Sequence, residues 1–383
     1  MNCIIISIYV HPEYYPPTLN AITELSKRAD RVIVVTQKFV DTNWQFPSNV
    51  EVVTAIGKNI EGNKIPFKNA YSGFYRFYNL FKNVLVSSST ELIVVHDPMA
   101  LACIWLLYLF GYVKAKVWYH NHDVLTNSYN GLIASIKYSL LKYIEKKAFR
   151  FISFFSLPSE DRKVHFPLDT FGGSFYYLPN FPASSFMKKN YVHKKMPKHI
   201  FKVIYQGTIS KGHGLEEFIS ILKENILGFE IHLTLIGNIS KKYKSNLLRI
   251  AREETVADKL FILNRVQYFD LSNLTKQHHL GLALHDNIGS IYSTAATASN
   301  KIYEYIALGL PVLLHDNIQY KKHLTSYKWA FFSQLSDKSI ANSVKCVLKD
   351  YIEASEAAHL DFINNLNFEI AFNDSFNDIS SKL

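Results

Sequence analysis

The stretch TASNKIYEYIALGLPV, residues 297–312, decides how this chain is read. A polar pair, Ser299 and Asn300, precedes an apolar-periodic segment; Gly309 stops it and Pro311 opens a strand-like run, so the string reads as a helix followed by a strand. A helix start presents unpaired N–H groups and the positive end of a dipole, which suits an anion. Glu304 lies one turn further along, on the face of Asn300 and Lys301, where a carboxylate can accept hydrogen bonds from vicinal sugar hydroxyls. An ordinary capped amphipathic helix has the same spacing, and spacing alone leaves both readings open.

Outward from that string, the same alternation recurs. In the second half, strands are expected near 202–206, 230–236, 259–263, 279–284 and 311–315, with helices near 215–224, 241–254, 300–308 and 337–348. In the first half, strands are expected near 3–10, 31–36, 51–55, 91–96, 115–120, 150–155 and 175–178. Helices are expected there near 19–29, 71–85, 99–110, 132–148 and 159–165. Alternation of this kind implies an α/β chain with two doubly wound parallel sheets, whose ligands sit at the carboxyl ends of strands and, by default, between domains. The domains are expected at 1–184 and 201–350. A Lys-, Ser- and Pro-rich linker at 185–200 joins them, and a C-terminal helical segment, 351–383, is expected to pack back on the first domain.

Composition narrows the function classes. The 383 residues are 48% hydrophobic and 19% charged, which excludes a largely disordered or low-complexity chain. The formal charge of +10 suits a phosphate-bearing partner, but the basic residues are spread and form no recognised nucleic-acid motif, so no nucleic acid is expected. Cys3, Cys103 and Cys346 are odd in number and lack CxxC spacing, which fits a reducing cytosol. Met1 runs straight into an apolar strand with no basic leader, and the longest apolar run, 99–112, is shorter than the roughly 20 residues a span needs. A cytoplasmic protein is the expectation.

Two further strings carry chemistry. Residues 203–215, VIYQGTISKGHGL, read as strand, Gly207, Thr208, a turn with Lys211 and Gly212, then helix. Glycine permits close backbone approach and lysine adds a point charge, a combination that holds phosphate, although it is also common turn chemistry. Residues 118–124, WYHNHDV, end a strand with His120, His122 and Asp123. Along a strand the two histidines face one way and the acid the other, so no metal site is expected.

Ser299-Asn300-Lys301, Glu304-Tyr305, Gly309 and Pro311-Val312 resemble the P-N-K-x-x-E-Y-x-x-x-G-x-P-V stretch of GT-B glycosyltransferases, especially the large family-four-like group. The resemblance implies two Rossmann-like domains facing across a cleft, with Glu304 on the donor ribose and Ser299, Asn300 and Lys301 at the diphosphate. Gly207, Thr208 and Lys211 resemble the family's G-R-x-x-x-K-G segment, in which basic residues neutralise the leaving diphosphate; Thr208 stands where the family has Arg. His122 is similar to the histidine of the family's H-D or H-E motif near the donor sugar, with His120 as the competing match. His96-Asp97-Pro98 resembles an H-D-P step that caps a helix, and Leu178-Pro179-Asn180 resembles an I-P-N-G step. Many members carry a second Glu where this chain has Ala296; His285 and Asp286 are the candidates to replace it. The loop after the first strand lacks the family's two glycines. Glu13, Tyr14 and Thr18 are expected on the acceptor side, with Thr18 and Asn20 capping the helix.

The expected activity is therefore transfer of a sugar from a nucleotide-diphosphate sugar, UDP before GDP, to a glycan or lipid-linked acceptor in cell-envelope polysaccharide synthesis. No cofactor is implied, and the chain has no D-x-D triplet, in keeping with a metal-independent reaction. Retention would let the leaving phosphate take the acceptor proton; inversion would need a base, for which His122, Asp123 and Glu13 are candidates. The helix expected at 132–148 sets Ile136, Leu140 and Tyr143 beside several lysines, which suits peripheral attachment to an anionic inner membrane or, equally, core packing. A nucleotide-sugar epimerase of the same fold and a noncatalytic nucleotide-sugar-binding protein are the alternatives.

Overall fold

The computed structural model describes residues 1–38, 45–55, 67–122, 124–125, 132–188, 191, 193–286 and 294–383. They divide into two units, residues 1–179 with 371–383, and residues 180–370.

In the first unit, β1 (Cys3–Ile8), β2 (Arg31–Thr36), β3 (Val50–Thr54), β4 (Leu92–Val95), β5 (Lys116–His120), β6 (Phe154–Leu157) and β7 (Ser174–Tyr177) form a parallel sheet. Their order is β3-β2-β1-β4-β5-β6-β7. The central strands are runs of Ile, Val and Leu, buried on both faces, because helices cover both sides of a parallel sheet. The helices are α1 (Pro16–Ser26), α2 (Phe67–Ser87), α3 (Pro98–Leu109) and α4 (Leu132–Ala148). Strand order reverses between β1 and β4, which makes the ends of those strands the switch point of the sheet.

The second unit repeats the plan. After α5 (Ser184–Lys188) come β8 (Ile200–Gln206), α6 (Leu215–Ser220), β9 (Asn225–Ile226), β10 (Phe229–Ile236), α7 (Lys241–Glu253), β11 (Leu260–Leu263), α8 (Tyr268–Thr275) and β12 (Leu280–Ala283). They are followed by α9 (Asn300–Ala307), β13 (Val312–His315), α10 (Ile318–Leu324), β14 (Ala330–Ser333), α11 (Asp337–Asn364) and α12 (Phe368–Ser381). The sheet order is β11-β10-β8-β12-β13-β14, with β9 antiparallel to β10, and the switch point falls between β8 and β12.

Several expectations are corrected. The strand expected at 150–155 starts only at Phe154, because Phe149 and Ile152 still bond back to Glu145 and Ala148 and extend the end of α4. The helix expected to 224 is α-helical only to Ser220 and runs on as a 3-10 turn, Ile221–Lys223; Leu227 and Gly228, both at positive φ, then turn β9 back onto β10. The 185–200 stretch is part of the second unit, not a free spacer. It contains most of α5, and the buried Lys194 ammonium bonds the carbonyl oxygens of Lys276 and His278. The C-terminal helix is two helices, broken where Asn367 donates to Phe362 O and accepts from Ile370 N. Residues 337–364 stay with the second unit. Residues 371–383 join the first, where Phe372 and Phe376 pack against Trp118 and lie under the Arg28 guanidinium.

Candidate functional site

Gln206 ends β8, and the next residue, Gly207, turns away with φ +118, a region that favours glycine. The turn is fixed by close packing: a Cβ on Gly237, which follows β10, would lie 1.7 Å from Gly207 O. Across the switch point, α9 begins at Asn300 with Ser299 as its N-cap residue. The Ser299 side chain makes no capping bond, so the first N–H groups of α9 lack that partner. The Asn300 Oδ1 is buried and has no hydrogen-bond partner among the described residues.

Glu304 is 4% exposed, and its carboxylate accepts from Gln206 Nε2, with the Tyr268 hydroxyl beside it. Gln206 is itself held, its Oε1 accepting from Thr275 Oγ1 at 2.8 Å. Burial pushes the Glu304 carboxyl up to about 7, against the bond from Gln206, the neighbouring Tyr268 hydroxyl and the nearby Lys301 charge. Burial likewise pulls Lys301 down to about 7, opposed by Glu304. The Lys301 ammonium lies 3.0 Å from Tyr205 Oη and 3.0 Å from His285 Nε2, and a Cβ on Gly207 would sit 3.5 Å from it. Tyr205 donates its one proton to Thr208 O at 2.7 Å, so it accepts from Lys301 and from His213 Nδ1. His285 accepts from Lys301 through Nε2, so its Nδ1 donates to Tyr320 Oη. The chemistry on offer is an enclosed ammonium, a proton-labile carboxylate and a bare helix start around one glycine turn.

Lys211 is exposed in the turn between β8 and α6. That turn is tied to the chain after β12 by Asp286 N donating to Gly212 O at 2.8 Å, so Lys211 and Glu304 stand at the same end of this sheet. Thr208 is also in this turn, and its carbonyl, not its hydroxyl, enters the network. Ala296 is buried and its carbonyl accepts from Tyr303. Sequence reasoning missed Gln206, Tyr205, His213 and Tyr268. The strand alternation at Tyr205-Gln206 held a signal, since two polar side chains on opposite faces follow the apolar pair Val203-Ile204 at the strand's end.

In the first unit, Thr18 does not cap α1. The helix starts at Pro16, with Tyr15 as N-cap residue, and Thr18 turns inward, its Oγ1 2.8 Å from His122 Nε2. Asn20 is also inside the helix. Glu13 and Tyr14 belong to a 3-10 turn, Pro12–Tyr14, just before it. Asp97 caps α3, accepting from Met99 and Ala100 N–H, as the H-D-P step implied. His122 is buried, and its ring stacks on His96 at 4.9 Å. Asp123 lies outside the described residues.

No protein-family model and no curated protein matches the sequence. Solved structures do. Sucrose-phosphate synthase (tll1590) from Thermosynechococcus elongatus superposes with a TM-score of 0.70 at 11% identity, covering 100% of both chains. Anabaena Alr3699/HepE, solved in complex with UDP-glucose, gives 0.66 at 14% identity over 100% of both chains. WaaG, a glycosyltransferase involved in lipopolysaccharide biosynthesis, gives 0.63 at 14% identity over 97% of this chain and 98% of its own. With two parallel doubly wound sheets and these neighbours, the chain has the fold of the GT-B glycosyltransferases.

Proposed function

We propose that the protein is a glycosyltransferase that takes a sugar from a nucleotide-diphosphate donor, UDP-linked first among the choices, and passes it to a glycan or lipid-linked acceptor in envelope polysaccharide synthesis. The observation that carries this reading is the buried Glu304 carboxylate held by Gln206 beside the Lys301 ammonium at the Gly207 turn. A ribose diol supplies the two donors that a carboxylate at this depth lacks, and a diphosphate supplies the counter-charge for Lys301. With Thr208 where the family has Arg, the cations for the diphosphate are Lys301, the lysine of the P-N-K step, and the exposed Lys211. In the retaining form the departing phosphate takes the acceptor proton, so no further base is required and Ala296 is accommodated. The UDP-glucose bound by HepE and the lipopolysaccharide role of WaaG agree with this donor and pathway class.

Attachment to the cytoplasmic face of a membrane is part of the proposal. Among the described residues no helix is long and apolar enough to cross a bilayer, but α4 leaves Ile136, Leu140 and Tyr143 exposed at helical spacing, with Lys137, Lys146 and Arg150 exposed around them.

Calorimetric titration tests the donor site. UDP should bind the wild-type chain, and Glu304→Ala should weaken it about 30-fold, roughly 2 kcal/mol. Unchanged affinity in a folded Glu304→Ala variant would refute the ribose assignment. Incubating a UDP-sugar with and without acceptor separates the alternatives: an epimerised sugar without acceptor supports the epimerase, and binding without any turnover supports a noncatalytic module.

A further inference from the structure

We propose that His96, His120 and His122 form a binding site for a first-row divalent transition-metal ion. The site lies wholly in the first unit and does not depend on the proposed function. His120 is the last residue of β5, His122 lies two residues on, and His96 follows β4; pairing of β4 with β5 brings the three together. His96 is 2%, His120 1% and His122 4% exposed. The ring centroids of His120 lie 5.6 Å from those of His96 and 4.5 Å from those of His122, and one ring nitrogen from each residue lies within 4.8 Å of the others. Three histidines are a common ligand set for zinc and leave a fourth position open. Bonds of about 2.0–2.1 Å would require the nitrogens to draw closer, which rotation of the rings about χ2 supplies.

Packing alone would explain three stacked and edge-on rings in a core. The unpaired nitrogens argue otherwise. Both nitrogens of His96 and Nε2 of His120 are buried and have no hydrogen-bond partner among the described residues, and each such orphan is costly. The rings are also oriented from outside, as ligating imidazoles are. His120 Nδ1 lies 2.8 Å from Ser156 Oγ, which is held in turn by Trp118 Nε1, and His122 Nε2 lies 2.8 Å from Thr18 Oγ1. Among the described residues the charged groups nearby are Asp97, already occupied at the α3 cap and at Tyr9 N, and Arg162, whose guanidinium bonds His122 O. A neutral all-nitrogen set suits Zn2+, Co2+, Ni2+ or Cu2+, not Mg2+ or Ca2+.

The test uses the full chain, stripped with chelator and then dialysed against buffered Zn2+. We expect one Zn2+ per chain, visible ligand-field bands of a nitrogen-ligated ion on Co2+ substitution, and binding at least 10-fold weaker in His96→Ala and His120→Ala. Should either variant fail to fold, imidazole-nitrogen NMR of the wild-type chain decides: Zn2+ should shift the resonances of His96, His120 and His122 and leave His213 and His285 in place. Absence of Zn2+ uptake by the wild-type chain, unchanged affinity in the folded variants, or shifts confined to other histidines would overturn the proposal.

Discussion

Each of the two sheets ends, at or beside its switch point, in a cluster of polar rings, and the clusters are finished differently. In the second unit, His213 and His285 are bonded through both nitrogens and, with Tyr205, surround the Lys301 ammonium. In the first unit, among the described residues, His96 has neither nitrogen partnered and His120 only one. The same strand-end geometry thus serves a saturated cage around a cation in one place and a set of bare lone pairs in the other. The difference shows that burial of histidine alone says little about its use; what the nitrogens meet decides it.

Removing the caged charge should have the largest effect. Lys301→Met is expected to weaken UDP binding about 30- to 100-fold, roughly 2–3 kcal/mol, in titration calorimetry. Its pH dependence sharpens the point. Ribose binding needs ionised Glu304 and diphosphate binding needs charged Lys301, and both titrate at about 7, so affinity should peak near there and fall on either side. Glu304→Gln should flatten the acid limb and Lys301→Arg the alkaline one. The unliganded chain should show the mirror image. Glu304, raised from 4.5, holds its proton more tightly when folded, so stability falls from pH 4.5 towards 7. Lys301, lowered from 10.5, is protonated more in the unfolded chain, so stability rises from 7 towards 10.5, as measured by denaturant unfolding across pH.

One substitution made in both clusters tests the comparison itself. His285→Phe strands Lys301 and the Tyr320 hydroxyl and should cost about 2 kcal/mol of unfolding free energy. His96→Phe, in chelator-treated protein, removes two unpaired polar atoms and should cost less than about 1 kcal/mol or even stabilise. Equal costs in urea melts would erase the distinction between the cage and the bare cluster. The smallest effect on stability is expected at α4. Leu140→Ser should stay within about 0.5 kcal/mol of wild type, yet reduce sedimentation with anionic vesicles several-fold.

The sequence carried the alternation of strands and helices because parallel strands buried on both faces are unbroken apolar runs, which bounded residues 31–36 correctly, while helical periodicity bounded 132–148. It did not carry α8, α10 or β14, short elements whose pattern is no longer than a loop's. Glu304, Asn300 and Lys301 were legible together because helical spacing fixes who shares a face. Thr18 was misread as a cap because Pro16 and Pro17, fit for the first helical positions, start α1 three residues earlier than expected. The partners of Lys301 and the meeting of His96 with His120 were not legible, since both depend on which strands pair, and pairing lies beyond local periodicity.

The most direct test is a crystal structure of the chain with UDP bound. The ribose hydroxyls are expected within hydrogen-bonding distance of the Glu304 carboxylate, and the diphosphate against Gly207, the α9 start and the Lys301 ammonium. A nucleotide seated elsewhere in the second unit, or in the first, with Glu304 still bonded only to Gln206, would contradict it.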